Sequence, residues 1–218
     1  MPNFLTTFDL LHILMLLPAV IIGLSVHEAS HAFMAHALGD STARDQGRST
    51  FNPLVHIDLL GLVFIMIVGF GWAKPVSFND ANLKKPDRDV RLIAAAGPLS
   101  NALLAIIGSA AYVLFVNTYG LNLTGFMASL ETMLWDFVLI NWGLFVFNLL
   151  PFPPLDGSHL AFYGLRHYPQ VYHALYFYGN FALFGLLMIQ AWVGQSILPI
   201  NEIIYFLANA GTKLFGLG

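Results

Sequence analysis

The chain has 218 residues, of which 57% are hydrophobic and 10% charged, against roughly 25% charged in an average soluble domain. With a mean hydropathy of +0.71 it reads as an integral membrane protein, and its net charge of −3 leaves no basic face to neutralise phosphates, so nucleic acid is excluded as a partner. There is no cysteine, so disulfides and thiolate nucleophiles are excluded and any metal must be held by His, Asp or Glu.

The first nine residues hold no Lys or Arg, unlike the positive start of a secretory signal, and the first apolar run therefore reads as a retained span. A helical span needs about 20 mostly apolar residues. Candidate spans fall at 10–38, 92–116, 134–150, 171–192 and 197–215. A sixth run, 57–71, is short and glycine-rich and holds Asp58. Arg44 and Arg48 follow the first span, and Lys74, Lys84, Lys85, Arg88 and Arg91 follow the short run. Basic loops stay in the cytoplasm, so both groups belong on that side and 57–71 dips into the membrane and returns. Residues 117–132 lack basic side chains and fall outside, whereas Arg166 and Lys213 fall inside. The expectation is an all-α polytopic membrane protein in the cell (cytoplasmic) membrane. It has about five to six transmembrane helices and a short re-entrant/β element after the first. Residues 1–218 form one domain, with a catalytic core over 8–160 and C-terminal helices over 171–215. Six ordinary spans are the alternative.

Residues 27–31 read His27-Glu28-Ala29-Ser30-His31. Side chains four apart share a helix face, so both imidazoles can bind one metal, with Glu28 beside them to reach a water. An ionisable group at membrane depth is costly and signals function. A catalytic zinc site uses three protein ligands plus water, so one ligand is missing. The acidic residues in or at the ends of spans are Asp58, Glu131, Asp136, Asp156 and Glu202. Asp156 stands out, because Pro151, Pro153 and Pro154 break the helix before it. The charge-based topology also puts it on the same side of the membrane as His27 and His31. His12 and His36 sit near the ends of the first span and read as interfacial, as do His159, His167 and His173.

The histidine motif, Gly97-Pro98-Leu99-Ser100-Asn101 opening a later span and Asn148-Leu149-Leu150-Pro151-Phe152-Pro153-Pro154-Leu155-Asp156-Gly157 resemble, in that order, the site-2 protease family of intramembrane zinc metalloproteases. Residues 51–54, 56–58 and 71–76 add to a likeness that covers about 20–160. The short outside loop matches the compact branch without a PDZ domain. Leu59-Leu60 departs from the proline that compact members often carry there. The resemblance implies one Zn2+ per chain on His27, His31 and Asp156, with Glu28 as general base. It makes Asn148 a candidate donor to the substrate backbone or oxyanion, against an interhelical hydrogen bond. The implied substrate is a transmembrane protein or peptide in the lipid bilayer, cut from the cytoplasmic side.

Other readings follow from the residues themselves. Asn101 reads as part of a small-residue helix start, Ala94 to Gly97, that allows close packing. His56 and Asp58 read either as support for the site or as a turn that anchors the dip. Residues 70–78 read as an edge strand to which an unwound substrate adds. A metal-binding membrane transporter and a non-catalytic binding protein are the alternatives to a protease. Neither requires a histidine pair with Glu28 between and a distant Asp-Gly.

Overall fold

From Leu10 to Val26 no Asp, Glu, Lys or Arg occurs, and this run winds into helix α1, Leu10–Ala37. A helix apolar on every side belongs in lipid or in a core. It stops at Gly39, whose φ of +112° suits glycine, while the Asp40 N–H turns back to the Ala35 carbonyl at 2.9 Å. The computed structural model describes residues 10–68, 71–120, 123–193 and 198–217. Among these the regular elements are helices. Short turns α2 (Thr42–Asp45) and α3 (Pro53–His56) lead to α4 (Leu59–Val68). The long helices α5 (Pro86–Tyr119) and α6 (Phe126–Asn148) follow. The chain ends with α7 (Asp156–Phe162), α8 (Pro169–Val193) and α9 (Ile200–Leu214).

Three helices are long and apolar enough to cross a membrane: Leu11–Ala37, Pro86–Tyr119 and Phe126–Asn148. The protein is an integral membrane protein. Along α5, Leu99, Leu103 and Ile107 are 59%, 59% and 55% exposed at four-residue spacing, an apolar stripe that only lipid suits. α5 begins before the apolar run at 92, because Pro86 at its first turn and Asp87 and Asp89 beside it favour a helix start. Hydropathy sees only the part in lipid. The run at 197–215 is helical as α9 over 15 residues, about 22 Å at 1.5 Å per residue; residue 197 lies outside the described residues.

α4 has ten residues, about 15 Å, half of what a crossing needs. The Lys74 N–H donates to the His56 carbonyl at 2.7 Å, so the chain returns from this excursion to the level at which it left. The close return explains the glycines: a Cβ on Gly61 would strike the Trp72 carbonyl, and one on Gly71 would strike that of Gly61. The edge strand expected at 70–78 is not formed over residues 71–78, and residue 70 lies outside the described residues. Pro75 has no N–H, and the Lys74 N–H, the Lys74 and Pro75 carbonyls and the Val76 N–H bond to a carbonyl and two side chains instead of to a strand.

α1, α5 and α6 pack as a three-helix core, with α9 against α5 and α6. Small residues set the approach: a Cβ on Gly108 would lie 2.8 Å from Phe137 Cδ1. Val138, Trp142 and Ala105 join Ala208 of α9 in one cluster, and Ala35, Val90, Ile93 and Tyr163 form another at the opposite end. The histidine motif lies between them.

Candidate metal centre

His27 and His31 share the face of α1 that packs on α5, where Gly97 makes room for them. A Cβ there would lie 2.6 Å from Cε1 of His31 and 2.7 Å from Cε1 of His27, closer than packed atoms come. His31 Nδ1 meets the Ile93 carbonyl of α5 at 2.7 Å. A carbonyl only accepts, so the ring proton is on Nδ1. His27 Nδ1 meets Asn101 Oδ1 at 2.7 Å. The Asn101 amide nitrogen donates to the Gly23 carbonyl at 3.0 Å and to Asn141 Oδ1 at 3.1 Å. The Gly23 carbonyl can only accept, which fixes the Asn101 amide and, through it, the His27 tautomer. Asn141 is fixed likewise by donating to the Phe137 carbonyl at 2.9 Å.

Both Nε2 atoms therefore present bare lone pairs, and they stand 3.1 Å apart. Asp156, the first residue of α7, brings Oδ2 to 3.1 Å from His27 Nε2 and 3.4 Å from His31 Nε2. That oxygen is buried and receives no hydrogen bond. Three acceptors facing one another with no proton between them are costly unless a cation lies among them. Around a tetrahedral ion bound at ~2.0–2.1 Å, neighbouring donors stand ~3.3 Å apart. The observed edges of 3.1 to 3.4 Å fit. The donor set fits zinc as well, being two neutral imidazoles held from behind and one carboxylate.

The proline-broken stretch places the carboxylate. α6 ends at Asn148, and the chain bends through Pro151, Pro153 and Pro154 before α7 starts. Gly157 lets α7 begin hard against the bend just after α6, since a Cβ there would strike the Leu149 and Leu150 carbonyls. Glu28, one residue beyond His27, points its Oε2 at the Val76 N–H, 2.9 Å away.

The remaining candidates make the following contacts. Asn148 donates to the Leu144 carbonyl of its own helix at 3.0 Å. Asp58 accepts from the Gly61 N–H at 2.8 Å and caps α4. The buried His56 ties Nε2 to the Thr50 carbonyl at 2.7 Å and anchors the turn before α4. His12 reaches Asp136 at 3.1 Å, so it joins α1 to α6 instead of standing free at the interface. Glu131 meets the Tyr112 hydroxyl at 3.5 Å. His36 bonds to Ser41 and Arg44, His159 to Tyr176, and His167 lies 3.7 Å from Asp87. Asn101 and Asn141 are the residues that sequence reasoning missed as site residues; their signal was a buried amide in an apolar span.

Two groups outside the spans tie the 79–82 turn to the rest of the chain. Asp40 is fully buried, which favours its neutral form. It accepts from the Thr42 hydroxyl and N–H, the Asn82 amide and the Asn79 N–H at 2.6, 3.2, 2.7 and 2.8 Å, and these hold its carboxyl below the usual range. Burial, then donation to Asp80 at 2.6 Å, pushes the Tyr163 hydroxyl up to about 12.

The fold and site define a helical membrane protein with a buried His-His-Asp group suited to a cation. Two similar proteins carry names that refer to zinc. The chain is 43% identical over 142 residues to "Putative zinc metalloprotease YwhC" of Bacillus subtilis, covering 65% of this chain and 64% of that protein. It is 27% identical over 146 residues to "Putative zinc metalloprotease Rip2" of Mycolicibacterium smegmatis, covering 63% of this chain and 52% of that one. The chain thus spans less than two thirds of either relative's length. No protein-family profile and no solved structure matches it.

Proposed function

We propose that the chain is an intramembrane zinc metalloprotease of the site-2 protease type, cutting transmembrane segments of membrane proteins. The observation that carries this reading is the meeting of His27 Nε2, His31 Nε2 and Asp156 Oδ2, 3.1 to 3.4 Å apart, inside a helical membrane core. The printed names of the two relatives support it, and so does the position of Glu28 in the chain, next to His27. His27, His31 and Asp156 would hold the zinc, which when bound supplies a Lewis acid and activates water. Asn101 and the Ile93 carbonyl keep both imidazoles in the ligating tautomer. Glu28 accepts a proton from the attacking water as its oxygen bonds to the scissile carbonyl carbon. It then returns that proton to the leaving amine nitrogen as the C–N bond breaks.

The membrane arrangement we propose has five crossings, α1, α5, α6, α8 and α9, with α4 as a dip from the cytoplasmic side. The ten residues of α4 and the bond that brings Lys74 back to His56 support the dip. The meeting of Asp156 with the cytoplasmic half of α1 supports one common face. His31 lies seven residues before Leu38, so the site sits about 10 Å below the cytoplasmic surface. Water reaches it beside the broken stretch 151–156. The substrate helix must unwind there, because buried backbone groups cannot go unpaired in lipid.

The test is cleavage of a fluorogenic single-span peptide by the purified chain in detergent, with zinc measured in the same sample. Wild type should contain zinc and cut the peptide, and a Gly or Pro near the scissile bond should speed cleavage over Leu and Ala versions. Protein without metal, or Glu28→Gln cleaving at the wild-type rate, would sink the reading. Single cysteines at 50 and 80, in a chain with none of its own, should label with an impermeant thiol reagent from the cytoplasmic side only.

A further inference from the structure

Residues 71–79 form a strap with neither helix nor strand to fix its path, yet it supplies a backbone N–H that meets Glu28. Side chains and loops must therefore set where that N–H stands. Arg48, exposed beyond α2, donates from Nη1 to the Pro75 carbonyl at 2.7 Å and to the Lys74 carbonyl at 3.3 Å. On the same stretch the Lys74 N–H is held by the His56 carbonyl, and His56 is held by Thr50. The next donor along the strap is the Val76 N–H, 2.9 Å from Glu28 Oε2.

We propose that Arg48 is a positioning residue for hydrolysis: by gripping the Lys74 and Pro75 carbonyls it holds the Val76 N–H against Glu28 Oε2, leaving Oε1 to handle the proton. A glutamate has three rotatable bonds and a half-buried one beside water has many rotamers. Pinning one oxygen selects a single arrangement, the kind of pre-orientation that a general base requires. A guanidinium suits the task because it stays charged, its Nη1 carries two N–H groups that can reach both carbonyls, and its rigid plane fixes their directions, whereas a lysine ammonium rotates freely on a flexible stem. Pro75 contributes by having no N–H of its own to compete for Glu28. The inference rests on Glu28 being the base.

The experiment uses the full chain in detergent and the fluorogenic single-span peptide. Arg48→Ala should lower kcat about tenfold, with KM and zinc content unchanged, because orientation and not binding is lost. Arg48→Lys should recover part of that loss. Val76→Pro, which deletes the N–H, should resemble Arg48→Ala, while Val76→Ala should not. In a Glu28→Asp background, whose shorter side chain falls back from Val76, Arg48→Ala should add little, the non-additivity expected of residues acting in series. Independently of any substrate, hydrogen exchange over 74–76 should be about fivefold or more faster in Arg48→Ala. Wild-type kcat and exchange in Arg48→Ala, or an equal further loss in the Glu28→Asp background, would overturn the proposal while Glu28→Gln still reads as inactive. An active Glu28→Gln would remove the base and the proposal with it.

Discussion

The two sources of the candidate ligands are built differently. His27 and His31 stand on an unbroken helix of 28 residues, and each is held from behind by a partner on α5. Asp156 opens a helix of seven residues after a proline-broken bend, and its Oδ2 has no donor at all. On the first side, side-chain and backbone acceptors choose tautomer and ring angle. On the second, the backbone does the placing: Gly157 packs on the Leu149 and Leu150 carbonyls just after α6, and Ser158 Oγ donates to the Leu155 carbonyl at 2.7 Å. The histidine side is stiff before a metal arrives, whereas the aspartate side is completed by it.

Breaking either side altogether should have the largest effect. His31→Ala and Asp156→Ala should both lose zinc and cleavage, as read by metal analysis beside the peptide assay. Asp156→Ala with full zinc would show that the aspartate side is not a ligand and would return Asp58 and His56 to consideration. Next in size, Glu28→Gln should reduce turnover by about 10²–10⁴-fold with zinc retained. Metal loss in that variant would make Glu28 a ligand and shift the centre along α1.

Smaller effects sharpen the stiff half. Gly97→Ala puts a methyl into the two imidazoles and should lower zinc occupancy without unfolding α5, seen as normal helix content with less bound metal. Asn101→Ala should weaken zinc about 10–100-fold in a chelator competition, more than any change to the residues around Asp156 that leaves its carboxylate in place. Equal sensitivity on both sides would contradict the division. The smallest effect belongs to Asp40, which joins the end of α1 to the turn at 79–82. Asp40→Asn should cost about 1–3 kcal/mol in thermal unfolding at neutral pH. Its depressed native pKa means the stabilisation is present above the unfolded value near ~3.9 and is lost as pH falls through the lower folded value. Wild type should thus lose its advantage over Asp40→Asn between about pH 4 and the acid limit.

The sequence by itself determined what is local. Charge scarcity requires a lipid-facing protein, and the spacing of His27, Glu28 and His31 needs only the pitch of one helix to become a half-site. Asp156 was legible one step further, because three prolines must end α6 near it and the loop charges put that end on the same side of the membrane as the histidines; that it meets them is a result of the tertiary structure. Only the tertiary structure decided that Asn101 orients His27, since a polar residue in a span can bond to any neighbour and the choice depends on how α1, α5 and α6 meet. It also decided that residues 71–78 form a strap and not an edge strand. Extended sequences look alike until their backbone partners are known, and here those partners are Arg48, His56 and Glu28, brought together from segments up to 48 residues away.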